Sequence, residues 1–396
     1  TDLICINLKI YDPTATKLQL TIPTLSILFQ NQSNMSLNTI LPKQRFMFFG
    51  YKYLTPASFR DVKFVSTHLM TDFSDQMIFI DFIETRYFPA RAFDEFGNLQ
   101  AISKNIWPRV HLSVVIDEPD AGVFEPAAIS NLLLDKFSMR YLRMLSGDGL
   151  LSPQVFANSS INKFEVTNSL GFIGFNGAES SNVSIKHLLV EKCPNFTLTS
   201  RAMPAAVDDL ATISVISCDL KQLDPTVWPK LKWLTRLILK SNSIKTINTT
   251  QFVGLENRLT SLDVSYNPLT SIDIDFTSKM TALKSIDLSY TNMSSLDMVA
   301  RVLRRAESIE FIGLKGYRFD NNESICLLNP LDELTATNLN KTLIQLDADH
   351  ACNCFVYYVY SRLRKQTAFG DMVKSNCPLC YQRAYAEGAN KLDQLE

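Results

Sequence analysis

One apolar pattern recurs along the chain. The segment from Leu234 reads LTRLILKSNSIKTI, that from Leu259 reads LTSLDVSYNPLTSI, and that from Leu283 reads LKSIDLSYTNMSSL, all fitting L-x-x-L-x-L-x-x-N/T-x-L. The last two apolar residues of L-x-x-L-x-L stand two apart, the period of a strand, so both point inward while their neighbours face out. The chain must then turn sharply. An Asn, Cys, Ser or Thr at that turn can hydrogen-bond backbone groups of neighbouring coils that would otherwise be buried unpaired. These turn positions run Ser169, Cys193, Cys218, Asn242, Asn267, Thr291 and Tyr317, at intervals of 24, 25, 24, 25, 24 and 26 residues. A later bulky apolar residue, Phe156, Met203, Trp228, Phe252 or Phe276, closes the far side of each coil. So regular a period predicts a stack in which each coil buries its apolar side only against the next.

The first third of the chain carries a looser version of the scheme. LTPASF ending at Phe59, FPARAF ending at Phe93 and LSPQVF ending at Phe156 share the segment that follows the turn. Strand-like runs occur at 59–64, 77–82 and 110–115. Nineteen of the 25 Phe residues precede residue 200, which predicts a fatter, less regular core there. We divide the chain into an N-terminal cap (1–39), irregular repeats (40–135), regular repeats of about 24–26 residues (136–325) and a cysteine-rich end (326–396). A separate small β domain before the stack is the alternative.

Over at least residues 137–320 the sequence resembles the leucine-rich-repeat family. The resemblance implies an α/β solenoid, a right-handed horseshoe with short parallel strands on its concave face, a convex side mostly of loop and 3-10 turns, and capped ends. The run HACNCFVYYVYSRLRK followed by SNCPLCY resembles the cysteine-rich C-terminal cap of extracellular members. That likeness implies pairing of Cys352 with Cys377 and Cys354 with Cys380, although the last two cysteines stand only three apart and Cys326 lies nearby. A four-thiolate zinc site is the competing reading of CxC with CxxC. Cys193 and Cys218 read as buried hydrogen-bonding thiols or as a bridge, and Cys5 has no identifiable partner.

Composition adds the cellular context. Nine of 26 Asn residues lie in N-x-S/T sequons: Asn31, Asn34, Asn158, Asn182, Asn195, Asn248, Asn292, Asn322 and Asn340. This excess points to an N-glycosylated protein of the secretory pathway, where disulfides outcompete zinc thiolates. The 39 basic and 40 acidic side chains give a net charge of -1, with no like-charged block to attract nucleic acid. No apolar run is long enough to span a membrane as a helix. The opening TDLICINLKI suggests a processed or truncated start, and the ending ANKLDQLE fits a linker as well as a terminus.

Catalytic motifs are missing from the pattern. The four histidines, His68, His111, His187 and His350, show no metal-ligand spacing, and no nucleophile or phosphate-binding motif occurs. We therefore expect no enzyme, no cofactor and no metal. The residues beside the inward pair form a continuous outward surface, and we take Tyr141, Arg143, Lys163, Glu165, His187, Glu191, Arg236 and Lys240 as its ligand-binding members. Mixed charge with apolar and aromatic residues suits a protein partner, in a homo- or hetero-oligomer, and no sequon falls on these positions. Asp263 and Asp287 on adjacent coils pose a Ca²⁺ question, though the same wording is common in the family. RFMFFGYKYL reads as core plus shoulder or as an exposed aromatic patch. The expected function is non-enzymatic recognition or assembly outside the cell, as a receptor ectodomain or secreted binder. The alternative is a subunit of, or enzyme within, a secreted enzyme complex, with its site in the irregular half.

Overall fold

A computed structural model describes residues 26–30, 39–40, 45–49, 63–64, 77–83, 87–93, 109–115, 123–142, 149–176, 181–203, 209–273, 275–293, 308–316 and 343–345. Its contacts divide the chain into two compact units, residues 1–234 and 235–396. In the first unit the strands Ser26–Gln30, Arg45–Phe49, Met77–Ile83, Arg109–Val115, Leu133–Arg140, Ser160–Thr167, Ser184–Glu191 and Thr212–Ile216 lie side by side in chain order. In the second, Arg236–Ile238, Ser261–Asp263, Ser285–Asp287, Phe311–Gly313 and Leu343–Gln345 do the same. All these pairings within the units are parallel. Parallel neighbours need a crossover, so the chain must complete one full coil between strands. Each unit is therefore a parallel-strand solenoid, the fold expected from the repeat.

The strands before residue 133 belong to the same sheet as those after it. Ser26–Gln30, within the segment expected as a cap, already pairs with Arg45–Phe49. In that run Phe46 and Phe48 stand in register with Ile80 and Phe82.

The inward pattern explains the stacking. In the first unit Ile80, Leu112, Phe137, Phe164, Leu188 and Ile213 occupy one register row and are all buried. Leu237, Leu262, Ile286 and Ile312 repeat that row in the second. The closing residues Phe156, Met203, Trp228, Phe252 and Phe276 are buried as expected. Their side is built from 3-10 turns at Pro153–Phe156, Pro225–Lys230 and Thr249–Phe252, with a single α-turn at Phe276–Lys279. Phenylalanine fills the wider first-unit coils: Phe164 has the rings of Phe137, Phe156 and Phe175 at 5.0, 5.3 and 5.1 Å between centroids. Such offset and edge-on contacts add to the area term of burial.

Two devices execute the sharp turn after the strands from Leu133–Arg140 to Ser285–Asp287. The first is polar. Asn267 accepts from Ile244 N–H at 3.0 Å and donates to the carbonyls of Leu239 and Val264 at 2.8 and 2.9 Å. Ser169 accepts from Leu142 N–H at 3.1 Å, and Thr291 donates to the Leu288 carbonyl at 2.9 Å. Cys193 and Cys218 fill the same rung as buried thiols. Cys193 N–H points to Cys218 Sγ at 3.4 Å, and the sulfurs donate to the Glu191 and Ile216 carbonyls at 3.3 and 3.2 Å. Contact with the Cys218 sulfur, and then burial, pushes the Cys193 thiol up, so it stays a hydrogen-bonding thiol.

The second device is conformational, and the repeat pattern gave no sign of it. The residue immediately before each rung is left-handed: Tyr141, Asn168, Lys192, Ser217, Ser241, Tyr266 and Tyr290 have φ between 52 and 57°. A Cβ in that region is costly for residues other than Gly, Asn and Asp. Replacing Lys192 with Asn is expected to leave stability unchanged or slightly raised, whereas Lys192→Val lowers it by about 1–2 kcal/mol, as measured by urea denaturation.

Candidate functional site

The outward side of the sheet carries the polar residues between the buried positions. In the first unit, His111, Lys136, Lys163 and His187 stand in one register row across four consecutive coils. The adjoining row holds Ser113, Ser138, Glu165, Leu189 and Ser214, and the next holds Val115, Arg140, Thr167, Glu191 and Ile216. The middle row is made mostly of small residues, with larger side chains on both sides.

Glu165 is the electrostatic centre of this surface. Its side chain is only 8% exposed, although it faces away from the core. Lys136 Nζ lies 2.5 Å from Oε2, and Lys163 Nζ contacts Oε1 from the same row. Burial pushes the carboxyl up, but the hydrogen bonds and charge of the two ammoniums outweigh it and hold Glu165 below the usual carboxylate range. One carboxylate thus carries two cations. Lys163 remains 45% exposed and Lys136 25%, so both present charge to solvent. One coil earlier, His111 Nε2 lies 2.9 Å from Asp135 Oδ2, and Asn162 donates to the other oxygen of Asp135 at 3.3 Å.

Four of the eight anticipated surface residues lie on this face, and one register differs. Lys163, Glu165, His187 and Glu191 stand at outward strand positions. Tyr141 does not: Lys163 pairs with Lys136, and Thr167 with Arg140, so Tyr141 lies beyond the strand on the left-handed turn. Two apolar alternations competed here, Phe137 with Met139 and Leu142 with Met144. The first completes L-x-x-L-x-L from Leu134, and Leu142 is left buried at the rung, where its N–H is held by Ser169. Lys136 and Arg140 are accordingly the outward residues that the sequence reading overlooked. Arg143 lies outside the described residues.

In the second unit Arg236 opens a row continued by Ser261, Ser285 and Phe311, and Lys240 follows its strand. The Lys240 ammonium sits 4.9 Å from the centroid of Tyr266, whose ring stacks on Tyr290 at 4.4 Å. Both tyrosines are exposed. Cation–π contact and ring stacking offset the cost of holding tyrosine in a left-handed turn. SYN and SYT, each immediately before or at the rung, were the available signal.

Asp263 and Asp287 are in register on adjacent strands, yet each carboxylate already accepts from a backbone N–H two residues on, Ser265 and Ser289, at 2.9 Å. The next position in that row is Gly313, where an added Cβ would meet Asp287 Oδ1 at 2.2 Å. These aspartates therefore act as turn acceptors. Among the described residues no group of three or more His, Cys, Asp or Glu is placed to hold a metal. Cys326, Cys352, Cys354, Cys377 and Cys380, with Cys5, lie outside the described residues.

Five anticipated glycosylation sites are described. Asn158, Asn182, Asn195, Asn248 and Asn292 are all exposed, while the rung residues Asn242 and Asn267 are buried. None of the five occupies an outward strand position of the rows above. Asn31, Asn34, Asn322 and Asn340 lie outside the described residues.

These features define a leucine-rich-repeat solenoid. Residues 257–316 match the leucine rich repeat family model, over the coils that carry Asn267 and Thr291. No curated protein matches the chain by sequence. Among solved structures, the chain is similar to TLR13 in complex with ssRNA13, at 12% identity and a TM-score of 0.43, covering 85% of this chain and 57% of that one. It is similar to the internalin inlF of Listeria monocytogenes at 13% identity and a TM-score of 0.37, covering 77% and 74%. It is also similar to the Drosophila Toll–Spatzle complex at 13% identity and a TM-score of 0.36, covering 82% and 51%. The chain thus spans little more than half of the first and third of these. Among the described residues no helix is long and apolar enough to cross a membrane.

Proposed function

We propose that the chain is an extracellular recognition module that binds a protein partner on the outward face of its parallel sheet. The observation that carries this reading is the Lys136–Glu165–Lys163 cluster, held in register between His111 and His187 on four consecutive coils. A stack needs apolar residues inside; nothing in its stability requires two half-exposed lysines around one nearly buried carboxylate. Desolvated ion pairs contribute little net stability, whereas they give an interface register and electrostatic specificity. The exposed sequons away from the strand rows support both the extracellular setting and an uncovered face. Glu191 adds to this surface in the first unit, and Arg236 and Lys240 are outward residues of the second.

The test removes the whole cluster, because removing one partner would strand a buried charge and confuse binding with folding. The variant Lys136→Met/Lys163→Met/Glu165→Met is expected to stay folded by circular dichroism. Its capture of partner from the native extracellular fluid should fall at least tenfold, while Lys230→Met captures as the parent does. Undiminished capture by the folded triple variant would overturn the proposal.

A further inference from the structure

The described sequons are not independent of one another. Asn131, Asn158 and Asn182 form a row on three consecutive coils, since Ser160 pairs with Leu133 on one side and with Ser184 on the other. Their side-chain amides form a chain of hydrogen bonds. Asn158 Nδ2 donates to Asn131 Oδ1 at 3.4 Å, and Asn182 Nδ2 donates to Asn158 Oδ1 at 3.3 Å. All three side chains are exposed. Asn131 is followed by Leu132 and Leu133 and is no acceptor, but Asn158-Ser159-Ser160 and Asn182-Val183-Ser184 both are.

We propose that Asn158 and Asn182 are mutually exclusive glycosylation sites: a folded molecule carries a branched N-linked oligosaccharide on one of them and not on both. The inference rests on the extracellular reading. An N-glycan grows from the amide nitrogen, and here the nitrogen of one site touches the oxygen of the other. Neighbouring coils are separated by one strand spacing, about 4.8 Å, which is close to the thickness of a single sugar ring. Two branched cores cannot rise side by side from such a spacing. The backbone also limits how far they can diverge. Asn158 is held left-handed at φ 58°, with Ser159 N–H bonded to the Phe156 carbonyl at 3.0 Å and Ser184 N–H bonded to the Ser159 carbonyl at 3.0 Å. Swinging the Asn158 amide away breaks the row of side-chain bonds at its middle, and swinging the Asn182 amide away breaks its last bond. Attachment occurs on the unfolded chain, so exclusion acts when the coils pack: doubly modified chains fail to stack these coils and are not secreted.

The test leaves the amide row intact and removes each acceptor through its serine. Full-length chain, Ser160→Ala, Ser184→Ala and the double variant are secreted from a eukaryotic host, and glycans per molecule are counted by intact mass after trimming each to one sugar. Exclusion predicts the parental count in both single variants, because the remaining site takes over, and a count lower by one in the double variant. The variants Asn158→Gln and Asn182→Gln should give the same counts if a serine change impairs folding. A loss of one glycan in either single variant, two in the double, or no change in the double would overturn the proposal. A chain without glycans at any sequon would instead refute the extracellular reading on which it rests.

Discussion

Replacing Asn267 with Ala is expected to destabilise the second unit by about 3 kcal/mol, because one amide satisfies several buried backbone groups at once. Its oxygen holds Ile244 N–H, and its nitrogen bridges the Leu239, Val264 and Ser265 carbonyls at 2.8, 2.9 and 3.3 Å. Ile244 and Asn267 are 1% and 2% exposed, so water cannot replace the amide without the turn opening. Urea denaturation, followed by the fluorescence of a tyrosine pair that lies beside this rung, reads the loss. A change below about 0.5 kcal/mol would show that the rung is ornamental. By contrast Cys218→Ser should cost little, since a hydroxyl already serves the same rung at Ser169 and Thr291.

A still larger loss is expected in the first unit from Phe164→Ala, about 4 kcal/mol. Phe164 is fully buried and touches the rings of Phe137, Phe156 and Phe175, which come from its own coil and from the one before it. Deleting it opens a cavity that three rigid rings cannot fill by shifting. Phe164→Leu should recover more than half of the loss in the same thermal and urea measurements. If Phe164→Ala costs less than about 2 kcal/mol, the aromatic spine is not what holds these coils together.

The stacking of coils was legible from spacing alone because L-x-x-L-x-L constrains every residue to one side or the other. Leu237 with Leu239 and Leu262 with Val264 can be placed inward from the sequence without error, and all four are buried. The rung is legible for the same reason: Ser169, Cys193, Cys218, Asn242 and Asn267 share a position that small hydrogen-bonding side chains suit. Where two alternations overlap, as at Phe137–Met139 and Leu142–Met144, spacing cannot choose, and the outward residues shifted from Tyr141 to Lys136 and Arg140. The left-handed turns were invisible, because residues as unlike as Lys192, Ser217 and Tyr266 fill them. The site was half legible. Lys163, Glu165 and His187 follow from the repeat, but the contact of Lys136 with Glu165 depends on side-chain reach between coils, which no linear pattern encodes.

The recognition surface can be tested directly by lysine footprinting. The full chain, free and with its captured partner, is acetylated briefly, and modification is read by mass spectrometry at each lysine. The outward face predicts strong protection of Lys136 and Lys163 in the complex, with Lys230 and Lys232, exposed on and beside a 3-10 turn, remaining as reactive as in the free chain. Protection of Lys230 and Lys232 with unchanged reactivity at Lys136 and Lys163 would contradict it.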